Sequence, residues 1–400
     1  DDLLILRVIV LKAAAAKAPA HGNRGYHRAV ASFDLIVVGA GIVGLAHALA
    51  AARRGLKVAV VERDTRAMSA SVRNFGFVTV TGQAQGDTRR RALRSREVWA
   101  EIAPQAKIEV LQRGAVVVAR RAEALVVLEE LAAGPMGLGC ELWSAGDIVK
   151  RLPAVRAGFL GALASTHELR VEAREALPRI ARWLAERHHI SFTWGSAALG
   201  FKGTKLVHSR GTLDGGAIVI APGAGLASFA PELAAGARVR QCHLQMMRIV
   251  PGAVRLPSVL MSDLSLARYE GFAAQPSASR LRARLERECA EQLAHGIHLI
   301  VAQGADGSLV VGDSHHYGDD SDPFASAAVE DLILAELHAL LDLREARVVE
   351  RWVGHYPVAD VQPLLSLALE DRVHAVTVTS GTGMSTAFAI GEETIEGLFG

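Results

Sequence analysis

The chain has only three cysteines among 400 residues: Cys140, Cys242 and Cys289. They form no C-x-x-C pair and show no metal-ligand spacing. This argues against a disulfide scaffold and suits a reducing, cytoplasmic compartment. No run reaches the ~18 consecutive apolar residues of a membrane-spanning helix. Neither sign of charge dominates: 44 Lys and Arg stand against 42 Asp and Glu. The resulting net charge of +2 gives no reason to expect nucleic acid as a partner. No internal repeat or low-complexity tract appears.

What is present is an ordinary globular composition, half hydrophobic and 22% charged, long enough for about two domains with ample cores. The chain is organised around Asp34–Asp64, DLIVVGAGIVGLAHALAAARRGLKVAVVERD. Leu35–Val38 reads as a buried parallel strand ended by glycine. Gly39, Gly41 and Gly44 follow at G-x-G-x-x-G spacing. Ile42, Val43, Leu45, Ala46, Leu49 and Ala52 then repeat at helical spacing until Gly55. Leu56–Val61 is a second buried strand, ending at Glu62. The pattern assigns a tight turn to Gly39, close backbone approach to a diphosphate to Gly41, and close helix–sheet packing to Gly44. The helix N-terminus offers free N–H groups to phosphates, and Glu62 stands near the position of a ribose-binding carboxylate. Glycines serving packing alone are the alternative. A second G-x-G-x-x-G, expected of a pyridine-nucleotide enzyme, is absent.

Residues 1–31 are basic after Asp1 and Asp2. They read as a poorly ordered leader outside the fold, either a targeting remnant or an over-extended start. Beyond Asp64, helices are expected at 88–102, 122–133, 144–152 (with Ser144 and Asp147 as a capping pair), 169–187, 280–294, 327–342 and 384–398. A hairpin is expected at 155–165 and a turn at 211–214. Strands at 239–250, 257–262, 297–303, 308–313 and 347–353 suggest a larger antiparallel sheet. A second strand-to-glycine junction occurs at 217–225, and a third at Ser380-Gly381-Thr382-Gly383. These pieces divide the chain into a nucleotide-binding part (32–85, 155–228 and 370–400) and an inserted substrate part (86–154 and 229–369).

DLIVVGAGIVGL with ERD, the VIAPGAG strand end and the C-terminal SGTGMSTAFAIGEETI together resemble the FAD-dependent oxidoreductases of the D-amino-acid oxidase superfamily, which includes glycine and sarcosine oxidases. The resemblance covers residues 34–400. SVRNFGFVTVTGQ, ALRSREVW, HELRVEARE, QCHLQMMR, GDSHHYGDDSDPF and ERWVGHYP look closest to a branch associated with aminophosphonate catabolism. Pro222, where the superfamily often has glycine, and the leader depart from the pattern. The resemblance implies an α/β fold: a Rossmann-like FAD-binding domain with an inserted antiparallel-sheet α+β substrate domain. It implies FAD held by Gly39, Gly41, Ile42, Val43, Gly44 and Glu62. Arg63 is expected to flank the adenosine, and Arg73, Asn74, Phe75 and Gly76 to run past the isoalloxazine. Gly223 is expected near the ADP side. Gly381, Thr382, Gly383 and Met384 are expected at the pyrimidine edge, where a helix N-terminus stabilises negative charge.

The implied reaction is oxidation of the C–N bond of a small amine bearing an anionic group, an aminophosphonate first. A glycine, sarcosine or D-amino-acid oxidase is the runner-up, and a non-catalytic flavin-binding protein the reading from another class. The anionic end calls for arginine. Arg248, Arg351 and the pair Arg268–Tyr269 are the candidates, with the Arg268–Tyr269 pair placed first for recognition. His315, His316 and Tyr317 are candidates to steer the amine proton or line the pocket. Metal binding there is a weaker rival, because adjacent histidines on a strand point to opposite faces. Cys242 is either a flavin tether or a buried small apolar residue. No lysine follows Lys205, whereas sarcosine-oxidase-like members use a lysine near the flavin to activate dioxygen. That role passes here to histidine or arginine, or the electrons pass to another acceptor. No macromolecular partner is implied, and a homodimer is left open.

Overall fold

The computed structural model describes residues 32–319, 322–360 and 362–400. The leader expected at 1–31 lies outside them. Leu35, Ile36, Val37 and the whole of Val58–Val61 are buried. Strands apolar on both faces belong in the middle of a parallel sheet covered on two sides. Ser32–Val38 accordingly pairs in parallel with Gly211–Ile220 and Val58–Val61. Ser191–Thr193 extends the sheet beyond Val58–Val61, and Val373–Val378 extends it beyond Gly211–Ile220. Leu364–Glu370, which the sequence reading missed, closes that edge in antiparallel fashion. Helices Ile42–Arg53, Asp87–Gln105, Ala173–His188 and Gly383–Phe399 share one apolar cluster on one face of this sheet.

The second sheet has ten strands and is antiparallel except where Val259–Met261 runs parallel to Val110–Ala119. Arg240–Val250 pairs with Arg347–Val358 along one edge. Along its other edge it meets Leu309–Gly312 and then His316–Gly318. The register slips between those two. Met246 faces Gly312 and His243 faces His316, so Leu244 and Gln245 oppose the three residues Asp313–His315. Such a bulge re-aims side chains. The extra residue is held where Ser314 Oγ accepts the Gln245 amide at 3.1 Å.

Four expectations fail for identifiable reasons. The hairpin at 155–165 and the helix starting at 169 are replaced by one long strand, Gly161–Val171, followed by helix Ala173–His188. The helical pattern is read from Leu169, but tertiary bonds from Glu168 and Arg170 hold this stretch extended. Glu168 Oε1 accepts the Thr81 amide at 2.8 Å, and Arg170 Nε donates to the Phe75 carbonyl at 3.2 Å. This strand lies in the second sheet rather than the parallel one. Gly211–Asp214, expected as a turn, is the first part of Gly211–Ile220 and pairs with Lys205–His208. The helix expected at 280–294 breaks at Cys289 into Ala278–Glu288 and Ala290–Ala294. The capping pair is as read: Ser144 and Asp147 form a reciprocal capping box on Ala145–Arg151.

Candidate active site

A cavity of about 750 Å³ runs between the two sheets, within the ~300–1,000 Å³ typical of small-molecule sites. It starts outside the C-terminal ends of the parallel strands, where ligands of open α/β sheets bind. Ile42, Val43, Ser71 and Gly223 line that end. Two helix N-termini open onto it, those of Ile42–Arg53 and Gly383–Phe399, and in neither does the N-cap residue's own side chain cap the helix.

The glycine turn is built by close approach. A Cβ at Gly44 would stand 1.9 Å from the Gly39 carbonyl oxygen. Gly39 adopts φ +101°, and a Cβ there would meet the Ala221 oxygen at 2.5 Å. Glu62 secures the turn from the second strand: its carboxylate accepts the Ala40 amide at 2.7 Å and the Asp64 amide at 3.0 Å. Ser71, which sequence reasoning missed, accepts the Ile42 amide at 3.0 Å and lies 3.1 Å from a Cβ built on Gly41. Arg63 is half-exposed beside Gly225 and does not reach the cavity wall.

Farther along, Arg73, Asn74 and Phe75 line the cavity, whereas Gly76 lies behind them. The Asn74 side chain braces this bend, donating to the Ala70 carbonyl at 2.8 Å and accepting the Gly76 amide at 2.7 Å. Gly381, Thr382, Gly383 and Met384 all line the wall. Ser385 and Thr386 donate to the Thr382 carbonyl, leaving the Gly383 and Met384 amides without an acceptor among the described residues. Free N–H groups at a helix N-terminus suit an anionic ligand edge. The glycine turn, the free amides and the continuous cavity therefore fit an extended dinucleotide.

The substrate end divides the remaining candidates. Arg268 and Tyr269 line the cavity with His315 and Tyr317. Arg268 donates to the Tyr356 hydroxyl at 3.2 Å, which leaves most of its fork open. Arg268 and Arg240 flank the Tyr317 ring, at 5.9 and 5.5 Å from its centre. Arg248 and Arg351 are corrected. Neither lines the cavity, because carboxylates elsewhere neutralise both. Arg248 is held by Glu172, Glu350 and Ser308, and Arg351 forms a bidentate pair with Glu330 on the surface. His316 is corrected too: it points away from His315 and lies 2.9 Å from His295 Nδ1.

In its place stand two residues the sequence reading did not select, His298 and Asp313. Both are buried on the cavity wall beside His315. Burial raises the Asp313 carboxyl to about 7, against the opposing pull of the Arg268 charge. Burial, reinforced by Arg268, lowers His298 to about 3. The same two influences hold His315 well below the usual histidine range. Asp313 was visible at a strand end, but nothing in the spacing of His298 links it to residue 313. Strand pairing alone brings them together. Cys242 is fully buried and off the cavity wall, and burial pushes its thiol up to about 11. That is the small apolar role rather than a tether.

The fold and cavity define a protein that holds a dinucleotide between a Rossmann-type sheet and a second, curled sheet carrying the polar pocket. The chain belongs to the DAO family of FAD dependent oxidoreductases, which it matches over residues 34–396, and FAD is its cofactor. A search of curated protein sequences finds no match. Solved structures show the same fold. Glycine oxidase from Geobacillus kaustophilus superposes with a TM-score of 0.73 at 18% identity, covering 91% of this chain and 94% of that one. L-proline dehydrogenase from P. horikoshii gives 0.73 at 17% identity, with 92% and 93% covered. L-alpha-glycerophosphate oxidase from Mycoplasma pneumoniae, with FAD bound, gives 0.71 at 15% identity, with 92% and 95% covered. Among the described residues no helix is long and apolar enough to cross a membrane.

Proposed function

We propose that the protein oxidises the C–N bond of a small primary or secondary amine that carries an anionic group. One observation carries this reading: Arg268, with an open guanidinium fork, shares a cavity with the free amides of Gly383 and Met384. FAD, when bound, supplies the hydride acceptor. The chain's own residues do the rest. Arg268 holds the anionic end, and Tyr269, Tyr317 and Tyr356 restrict the space around it. The helix N-terminus at Gly383 favours negative charge on the ring edge facing it. Glycine, L-proline and glycerophosphate, named for the three structural neighbours, all carry an anion. Two of them carry an amine.

Among anionic amines we place aminophosphonates first. Two guanidiniums flanking Tyr317 suit a dianionic head group better than one would, although Arg240 already pairs with Asp360. Amino carboxylates such as glycine, sarcosine or a D-amino acid are the runner-up. The test is anaerobic titration of the FAD-loaded protein with both classes. Bleaching of the flavin absorbance by an aminophosphonate at lower concentration than by its carboxylate counterpart supports the proposal. Bleaching by carboxylates alone removes the preference. No bleaching by any amine removes the reaction.

A further inference from the structure

We propose that His298, Asp313 and His315 form a single proton-accepting pocket for the ammonium end of a zwitterionic substrate whose anionic end lies on Arg268. This rests on the reaction proposed above and names the group that reaction requires, since an ammonium nitrogen has no lone pair with which to support loss of a hydride.

The geometry is specific. His298 Nε2 lies 3.3 Å from Asp313 Oδ1, and His315 Nε2 lies 4.0 Å from Asp313 Oδ2. One ligating atom from each residue falls within 4.8 Å of the others. The two imidazoles stack with centres 4.9 Å apart. His315 Nδ1 sits 3.0 Å from the Gly296 carbonyl. A carbonyl only accepts, so that nitrogen carries the proton and Nε2 keeps its lone pair on the Asp313 side. Asp313 Oδ1 and His298 Nδ1 are buried with no hydrogen-bond partner among the described residues. Unsatisfied buried polar atoms are expensive, and here they sit in two residues of the cavity wall.

The electrostatics agree. The charged and titratable groups around Asp313 are His298, His315, Arg268, Tyr269 and Cys242, with His316 adjoining His315 from behind. Burial keeps both imidazoles neutral at pH 7 and poises the carboxyl at about 7. The step is a proton transfer. The ammonium N–H bond breaks, its electron pair stays on nitrogen, and an O–H bond forms on Asp313. No oxidant takes part.

The experiment has two arms. The first follows anaerobic flavin reduction against pH with an amine that bleaches the loaded enzyme. The wild type should gain rate through a limb near pH 7. Asp313→Asn should lose that limb and fall on the order of 10²-fold, and His298→Gln should displace it. The second arm needs no turnover. It measures proton release by calorimetry in buffers of different ionisation enthalpy, as a zwitterion lacking an α-hydrogen binds at pH 7. The wild type should release roughly half a proton, because ion pairing drives the half-protonated Asp313 to its charged form. Asp313→Asn should release none. Bleaching that keeps its pH limb in Asp313→Asn, or binding with equal proton release in both proteins, overturns the proposal. So does a stoichiometric metal found by elemental analysis in the wild type and missing from His298→Gln. Absence of bleaching by every amine would strike the reaction instead, and the binding arm would still decide for or against the pocket.

Discussion

Gly381 and Tyr356 are packed so closely that a Cβ on Gly381 would stand 2.9 Å from the Tyr356 ring carbon Cζ. One belongs to the turn that opens the C-terminal helix, and the other to a strand of the second sheet that holds Arg268. Gly381 also adopts φ +73°, a conformation L-residues resist. Gly381→Ala should therefore disturb cofactor and substrate ends together. The strain of ~1–3 kcal/mol should appear as weaker FAD retention and, in the protein that still loads, a raised substrate KM. Loss of FAD with an unchanged KM would show that the contact does not couple the two ends.

Gly44→Ala tests the glycine turn. Its Cβ would collide with the Gly39 carbonyl, which belongs to backbone and cannot rotate away. The expected result is destabilisation of ~1–3 kcal/mol, read as a lower Tm, and a purified protein with substoichiometric FAD. A fully yellow, equally stable variant would contradict the packing role.

Arg268→Lys keeps the charge and removes the fork. Losing a charge-assisted hydrogen bond worth ~1.5–3 kcal/mol should raise the Kd of anionic amines roughly 10- to 100-fold, with little change in Tm. Arg248→Ala should do the reverse. It strips a partner from Glu172 and Glu350, so Tm should fall while substrate affinity stays put. Arg351→Ala, at a surface pair, should change either quantity little.

His47 provides a stability test away from the cavity. It is fully buried in helix Ile42–Arg53, and burial lowers it to about 4 despite the bond from Nδ1 to the Val43 carbonyl. The unfolded chain titrates near 6.5, so between 6.5 and 4 the unfolded state binds the extra proton. Stability is thus full above about 6.5 and declines as pH falls toward 4. At ~1.4 kcal/mol per pKa unit the loss is about 3 kcal/mol. Denaturant melts at stepped pH should show this slope in the wild type and a shallower one in His47→Leu.

The nucleotide-binding half was legible because its signals are local. Strand, glycine turn, helix and acid lie within thirty-odd consecutive residues, and Gly39 and Gly44 each answer to a backbone oxygen. The strand at Gly161–Val171 was not legible. Its first part reads as half of a hairpin and its last residues, from Leu169, as helix, a pattern overruled by bonds to Thr81 and Phe75, about ninety residues away. Among the arginines, the sequence reading preferred Arg268 with Tyr269, but what removes Arg248 and Arg351 is the carboxylates that came to lie beside each.

By itself, then, the sequence determined the glycine turn, the two helix N-termini that follow strand-to-glycine junctions and the class of ligand they accept, since backbone geometry over a few residues dictates all three. Tertiary structure alone decided that His298 would stand against Asp313, that the bulge would turn His315 inward while His316 faces His295, and that Arg268 would keep its fork open. Those outcomes depend on strand register and long-range charge pairing, which no local pattern encodes.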